Sequence, residues 1–134
     1  MKKDITNRDD IQLLVNTFYQ KVRDDQRIGY LFDDVAQVDW QKHLPIMYDF
    51  WETNLLFVQK YKGNPIQTHM EVDDTENLEQ KHFGYWMEHW FSTVDELFEG
   101  EKATLAKERA RKMAHTIFMR VYMKRYTTDG QKNS

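Results

Sequence analysis

The stretch from His82 to Gly100 constrains this chain more than any other. Phe83, Tyr85, Trp86, Trp90 and Phe91 crowd together there, and the pattern continues in helical register to a glycine. Residues three and four apart share one face of a helix. Phe83, Trp86, Met87, Trp90, Val94, Leu97 and Phe98 therefore form a single apolar stripe. That is more ring surface than one helix needs to seat itself in a small domain. With Phe18, Tyr19, Phe32, His43 and His69 upstream, it reads as the wall of a pocket for a large, flat, apolar ligand.

Composition narrows what that ligand and the fold can be. A chain of 134 residues is one domain, and at that size it buries roughly two-thirds of its unfolded surface without needing a staple. The absence of cysteine excludes disulfides, thiolate zinc sites, iron–sulfur clusters, cysteine nucleophiles and covalent haem attachment. A net charge of -3, with basic residues spread among acids, gives no footprint for nucleic acid. The nearest basic run, Lys107 to Arg111, is interrupted by Glu108 and reads as a solvated helix face. Polar residues follow Met1-Lys2-Lys3-Asp4, so no signal peptide is expected. No apolar run approaches the roughly 20 residues that span a bilayer. A cytoplasmic protein without a membrane or nucleic-acid partner is the expectation.

Five glycines, two prolines and no strand-like alternation point to an all-α fold. The first helix is predicted from Asn7, with Asp10 in a capping arrangement, to about Asp25, burying Ile11, Leu14, Val15, Phe18 and Val22 with Tyr19 on the edge. Gly29 breaks a short segment carrying Ile28, Leu31 and Phe32, read as one or two helical turns. A second long helix is predicted from about Asp39, with Trp40, His43, Met47, Phe50, Trp51 and Leu55 as its stripe. Pro45 falls inside that stripe and predicts either a helix start or a short distorted turn. Gly63-Asn64-Pro65 marks a turn, followed by a short helix over 66–70 and a polar loop to Asn77. The aromatic helix then runs from about Asn77 to Phe98, with Gly100 as its stop. The last runs from about Lys102 to Tyr126, with Leu105, Met113, Ala114, Ile117, Val121 and Tyr122 inward. Residues 1–126 make one domain, and 127–134 read as a disordered tail.

Histidines without cysteines raise the question of a metal. A zinc protease needs two histidines one helical turn apart flanking a glutamate, and that motif is absent. A di-iron bundle needs two Glu-x-x-His pairs, and only Glu79 with His82 fits. Haem asks for less: one imidazole on the iron and apolar surface over the ring. His69 is a candidate for that ligand, in a weakly periodic stretch between two helical blocks. His82, His89 and His115 read as surface or supporting groups. Taken alone, Trp86 fits plain core packing and Tyr19 a boundary position equally well.

Several separated motifs, in order, resemble the group III truncated haemoglobins over roughly residues 8–124. They are Thr17-Phe18-Tyr19, Val22-Arg23-Asp24, Leu31-Phe32, Trp40 with His43, Phe50-Trp51 with Leu55, Gly63-Asn64-Pro65 with His69, His82-Phe83 with Trp86, Thr93 to Phe98 with Gly100, and Ala110 to Ala114. The resemblance implies a shortened globin fold packed around haem b, with His69 as the iron ligand. It implies Tyr19 and Trp86 as distal groups facing the bound gas, His43 as the distal-helix histidine, and Phe32 packed on the haem. Met47, Trp51 and Ile117 complete the expected cofactor contacts. The chain departs from the family after His69, where Met70-Glu71-Val72-Asp73-Asp74 replaces a leucine- and proline-rich stretch.

These residue types suit a gas-binding pocket. An indole N–H only donates, and a phenol donates or accepts. A hydrogen bond to a charged acceptor is worth about 1.5–3 kcal/mol, and each 1.4 kcal/mol is roughly tenfold in dissociation. Reversible binding of oxygen, nitric oxide or carbon monoxide is the reading that follows. Redox chemistry on nitric oxide or peroxide, as a dioxygenase or peroxidase served by a reductase, is the alternative at the same pocket. A haem-free helical adaptor, receiving a partner helix in its aromatic groove, is the alternative without it. His43 can gate the site, donate to the ligand or swing outward.

Overall fold

The computed structural model describes residues 2–35, 37–58 and 79–132, with side chains as far as Arg120 apart from that of residue 35. Every element among them is helical: α1 (Arg8–Asp24), a single π turn (Leu31–Val35), α2 (Trp40–Leu56), α3 (Gln80–Leu97) and α4 (Glu101–Lys132). α3 packs on α1 and α4, α1 also on α2, and α2 on α4. None of these helices is long and apolar enough to cross a membrane. The predicted turn at Gly63-Asn64-Pro65, the short helix over 66–70 and His69 lie outside the described residues.

α1 forms as its stripe dictates. Asn7 caps it, accepting from the Asp10 backbone N–H at 2.9 Å, and Ile11, Leu14, Val15, Phe18, Tyr19 and Val22 are all buried. A tight corner follows, closed by the Gly29 N–H on the Asp25 carbonyl at 2.7 Å. A Cβ at Gly29 would lie 2.5 Å from the Arg23 carbonyl oxygen, so only glycine lets the chain turn so close to the end of α1. One wide turn follows where one or two ordinary turns were expected.

α2 starts at Trp40 behind an Asp39 cap and passes through Pro45 without restarting, so the proline sits in its second turn. Its buried residues are Trp51, Glu52 and Leu55, whereas Trp40, His43, Met47 and Phe50 are only half-buried. The buried Glu52 carboxylate is met by Arg8 at 2.6 Å, which also reaches Asp49 at 2.8 Å. An unpaired charge there would be costly, and this pair joins the start of α1 to the middle of α2.

α3 begins at Gln80, a little after the expected Asn77, because His82 turns back to accept the Glu79 backbone N–H at 2.8 Å. Its C-terminus falls where expected, with Phe98 as the cap, but Gly100 is not its stop. The helix ends at Leu97, and Gly100 opens α4 by accepting from the Thr104 N–H at 3.0 Å. With φ at +139° it leaves room for Asp4, whose carboxylate a Cβ would strike. Asp4 takes the Lys102 and Ala103 N–H groups at 2.9 Å each, so the cap of α4 comes from the other end of the chain. The buried face of α4 is built from Ala103, Ala106, Ala110, Ala114 and Ile117. Leu105 and Met113, expected inward, are half-buried. Small residues let α3 approach closely enough for the Trp90 indole to bond the Ala106 carbonyl at 3.0 Å. α4 continues to Lys132, beyond the expected end at Tyr126.

Candidate functional site

Two aromatic clusters meet at Phe18 on α1. Phe18 is edge-on to Trp86 and Trp90 at 5.3 and 5.0 Å, and Trp90 stacks on Trp51 at 4.4 Å. On its other side Phe18 meets Tyr19 at 4.8 Å. Tyr19 in turn carries Phe32, Trp40 and His43 at 6.4, 5.2 and 5.3 Å. Edge-to-face pairs of this kind are each worth about 0.5–1.5 kcal/mol beyond their burial. The rings therefore form a connected wall running from α3 across α1 to the first turn of α2.

Polar atoms in that wall are few and specific. The Tyr19 hydroxyl lies 3.2 Å from His43 Nε2. Burial holds the Tyr19 phenol protonated, well above its usual range, so the question is where its proton points. When His43 Nε2 lacks a hydrogen, Tyr19 donates to it and its proton is committed. When Nε2 carries one, the imidazole donates to the phenol oxygen and the Tyr19 O–H is free for another acceptor.

Trp86 supplies the second group. Its Nε1 is buried, with no hydrogen-bond partner among the described residues. Trp90, four residues on and with its ring plane within 5° of Trp86, has its own N–H satisfied by Ala106. A buried donor without an acceptor costs about 1–3 kcal/mol. Such a group in a well-packed core calls for an explanation.

The other expected residues are distributed as follows. Phe32 and His43 join Tyr19 in one cluster, and Phe18 links that cluster to Trp86. Met47 is half-buried on α2 against the core, Trp51 is buried on Trp90, and Ile117 is buried on α4. His69 lies outside the described residues. His89 bonds Asp25 at 2.6 Å, tying α3 to the end of α1, and His115 is exposed.

Sequence reasoning missed Trp40 as a member of the site. Its Nε1 donates to Asp33 at 2.8 Å, and the Arg23 guanidinium lies 4.8 Å over its ring. The available signal was its spacing, one turn before His43 on the same helix.

No family model matches the chain. It is 26% identical over 117 residues to the group 3 truncated hemoglobin ctb of Campylobacter jejuni, covering 85% of this chain and 90% of that protein. Its fold superposes on the crystal structure of the group III truncated hemoglobin from Campylobacter jejuni with a TM-score of 0.78 at 26% identity, covering 91% of this chain and 96% of that one. The chain thus has the truncated-globin fold and resembles the group III truncated haemoglobins in sequence as well as in structure.

Proposed function

We propose that this chain binds haem b and, at it, reversibly holds a diatomic gas such as oxygen, nitric oxide or carbon monoxide. The observation that carries the reading is the Trp86 indole N–H, buried and without a partner among the described residues. A donor kept in that state fits a ligand that brings its own acceptor. The fold and sequence likeness to a group III truncated hemoglobin supports the same reading.

The residues present fit such a cofactor. Haem, when bound, supplies an iron centre that takes up the gas. His69 is the residue we assign to hold it, with Phe32, Met47, Trp51 and Ile117 as apolar walls. Trp86 donates its indole proton to a partly negative ligand. Tyr19 keeps its phenolic proton at neutral pH and directs it either to the pocket or to His43. Phe32 and His43 pack on Tyr19 and limit the entry of water. One donor at about 1.5–3 kcal/mol slows escape by roughly ten- to a hundredfold, which favours retention over quick release.

The test is an absorption spectrum of protein expressed with a haem precursor. A Soret band that sharpens in the ferrous carbon monoxide form, and that His69→Ala abolishes or shifts, is the expected result. A colourless protein that takes up an amphipathic peptide and ignores hemin would overturn the proposal in favour of an adaptor.

A further inference from the structure

His43 stands in the first turn of α2, where Pro45 removes one of the helix's own hydrogen bonds. Pro45 lacks an N–H, so the Gln41 carbonyl receives no bond from it, while the Lys42 and His43 N–H groups donate to the Asp39 carbonyl at 3.0 and 2.8 Å. Asp39 offers a cap to Gln41 at 3.2 Å. A second restraint comes from outside. Trp40, the first residue of α2, donates Nε1 to Asp33 in the π turn at 2.8 Å. Arg23, near the end of α1, places Nε 3.2 and 3.3 Å from the two oxygens of the same carboxylate and its guanidinium 4.8 Å over the Trp40 ring. Two other segments thus close on one indole.

That indole rests on both partners of the Tyr19–His43 hydrogen bond, 5.2 Å from the Tyr19 ring and 5.6 Å from the His43 ring. Trp40 and His43 are both half-buried, while Tyr19 is buried. Nothing from Arg23 or Asp33 needs to touch a ligand for them to matter. Their hold on Trp40 fixes one of the walls against which His43 packs.

We infer that Arg23, Asp33 and Trp40 form a latch that positions His43 against the Tyr19 hydroxyl. With the latch closed, His43 and Tyr19 are bonded to each other. With it open, the Trp40 ring moves from beside the imidazole, the His43 side chain leaves the phenol, and the phenol and the space beside it become available. As regulation of gas entry this rests on the haem reading above. As a restraint on His43 it rests on the ring geometry alone.

The experiment compares the wild-type protein with Asp33→Ala, Asp33→Asn and Trp40→Phe. Nitrogen-edited NMR of the diamagnetic ferrous carbon monoxide form reads the Trp40 indole N–H and the His43 ring, and flash photolysis reads carbon monoxide association. Expected in Asp33→Ala are at least tenfold faster exchange of the Trp40 indole proton, a His43 shift towards that of a free imidazole, and association at least threefold faster. Trp40→Phe keeps the packing but loses the donor, and should move His43 in the same direction. Asp33→Asn keeps an acceptor oxygen and should fall between the extremes. The Arg23–Asp33 pair is partly exposed, so raising salt from 0.1 to 1 M, which screens exposed charges, should shift His43 in the wild type and not in Asp33→Ala. A plain packing role for Trp40 would show no such salt response. An unchanged His43 shift and association rate in Asp33→Ala would overturn the latch. If no haem is taken up, the NMR comparison on the protein as purified still decides the latch, while the proposed function fails separately.

Discussion

Trp86 and Trp90 sit one turn apart on α3 with nearly parallel rings, and a sequence treats them as the same residue twice. Their surroundings differ. Trp90 is fully buried and hands its N–H to the Ala106 carbonyl, while the Trp86 N–H has no partner among the described residues. The same substitution should therefore have opposite signatures. Trp90→Phe loses a buried hydrogen bond and opens a cavity, and is expected to lower unfolding stability by about 2–3 kcal/mol in urea titrations. Trp86→Phe loses no protein bond and should change stability by less than about 1 kcal/mol. In the gas-loaded protein, however, it should speed oxygen dissociation about tenfold, measured by stopped flow. An unchanged dissociation rate would remove Trp86 from the ligand and return it to simple packing.

Among the elements, α1 was legible because the apolar residues of its stripe keep a helical period and are buried, while Leu13, off that stripe, is exposed. The inner face of α4 was not. Ala103, Ala106 and Ala110 are buried, yet alanine gives little hydropathic contrast, so hydropathy alone traces the stripe through Leu105 and Met113. The role of Gly100 was hidden for a different reason: it is set by Asp4, 98 positions from Lys102 in sequence, and no local pattern encodes such a partner. Within the site, Tyr19, His43 and Trp86 were named through family likeness. Trp40 was missed because its importance depends on Asp33 and Arg23 in two other segments. α2 also carries a testable inconsistency between local preference and position. Pro45 occupies its second turn, where proline costs up to about 3 kcal/mol, partly offset because it restricts the unfolded chain. Pro45→Ala is expected to raise the stability of the protein by about 1–2 kcal/mol in thermal or urea unfolding. A loss of stability instead would mean that the restriction proline places on the unfolded chain outweighs the hydrogen bond it removes.

Across the whole molecule, three carboxylates fasten segments that the hydrophobic core alone leaves free. Burial would raise the pKa of Asp4, but backbone N–H groups of Lys102, Ala103 and Ile5 outweigh it and hold it below the usual value. At Asp10 burial is likewise outweighed, by Lys3 and Thr6. At Asp25 the Arg27 side chain is the largest influence, burial opposes it, and His89 on α3 adds to the lowering, so this carboxyl lies far below the ordinary carboxylate range. A carboxyl whose folded pKa is depressed contributes stability that is complete above its unfolded value, near 4, and is lost as pH falls through the folded value. Stability should therefore be nearly level from about pH 7 to 5 and fall steeply between about pH 4 and 2. Asp25→Asn tests the assignment, because the amide cannot titrate and bonds Arg27 and His89 less strongly. The variant should unfold more easily than the wild type at pH 7, with a shallower decline below pH 4, so that the two urea midpoints converge in acid. Superimposed curves across that range would show that the Asp25 tie between the end of α1 and α3 contributes nothing. The alignment of Phe18 between Tyr19 and Trp86 would then depend on ring packing alone.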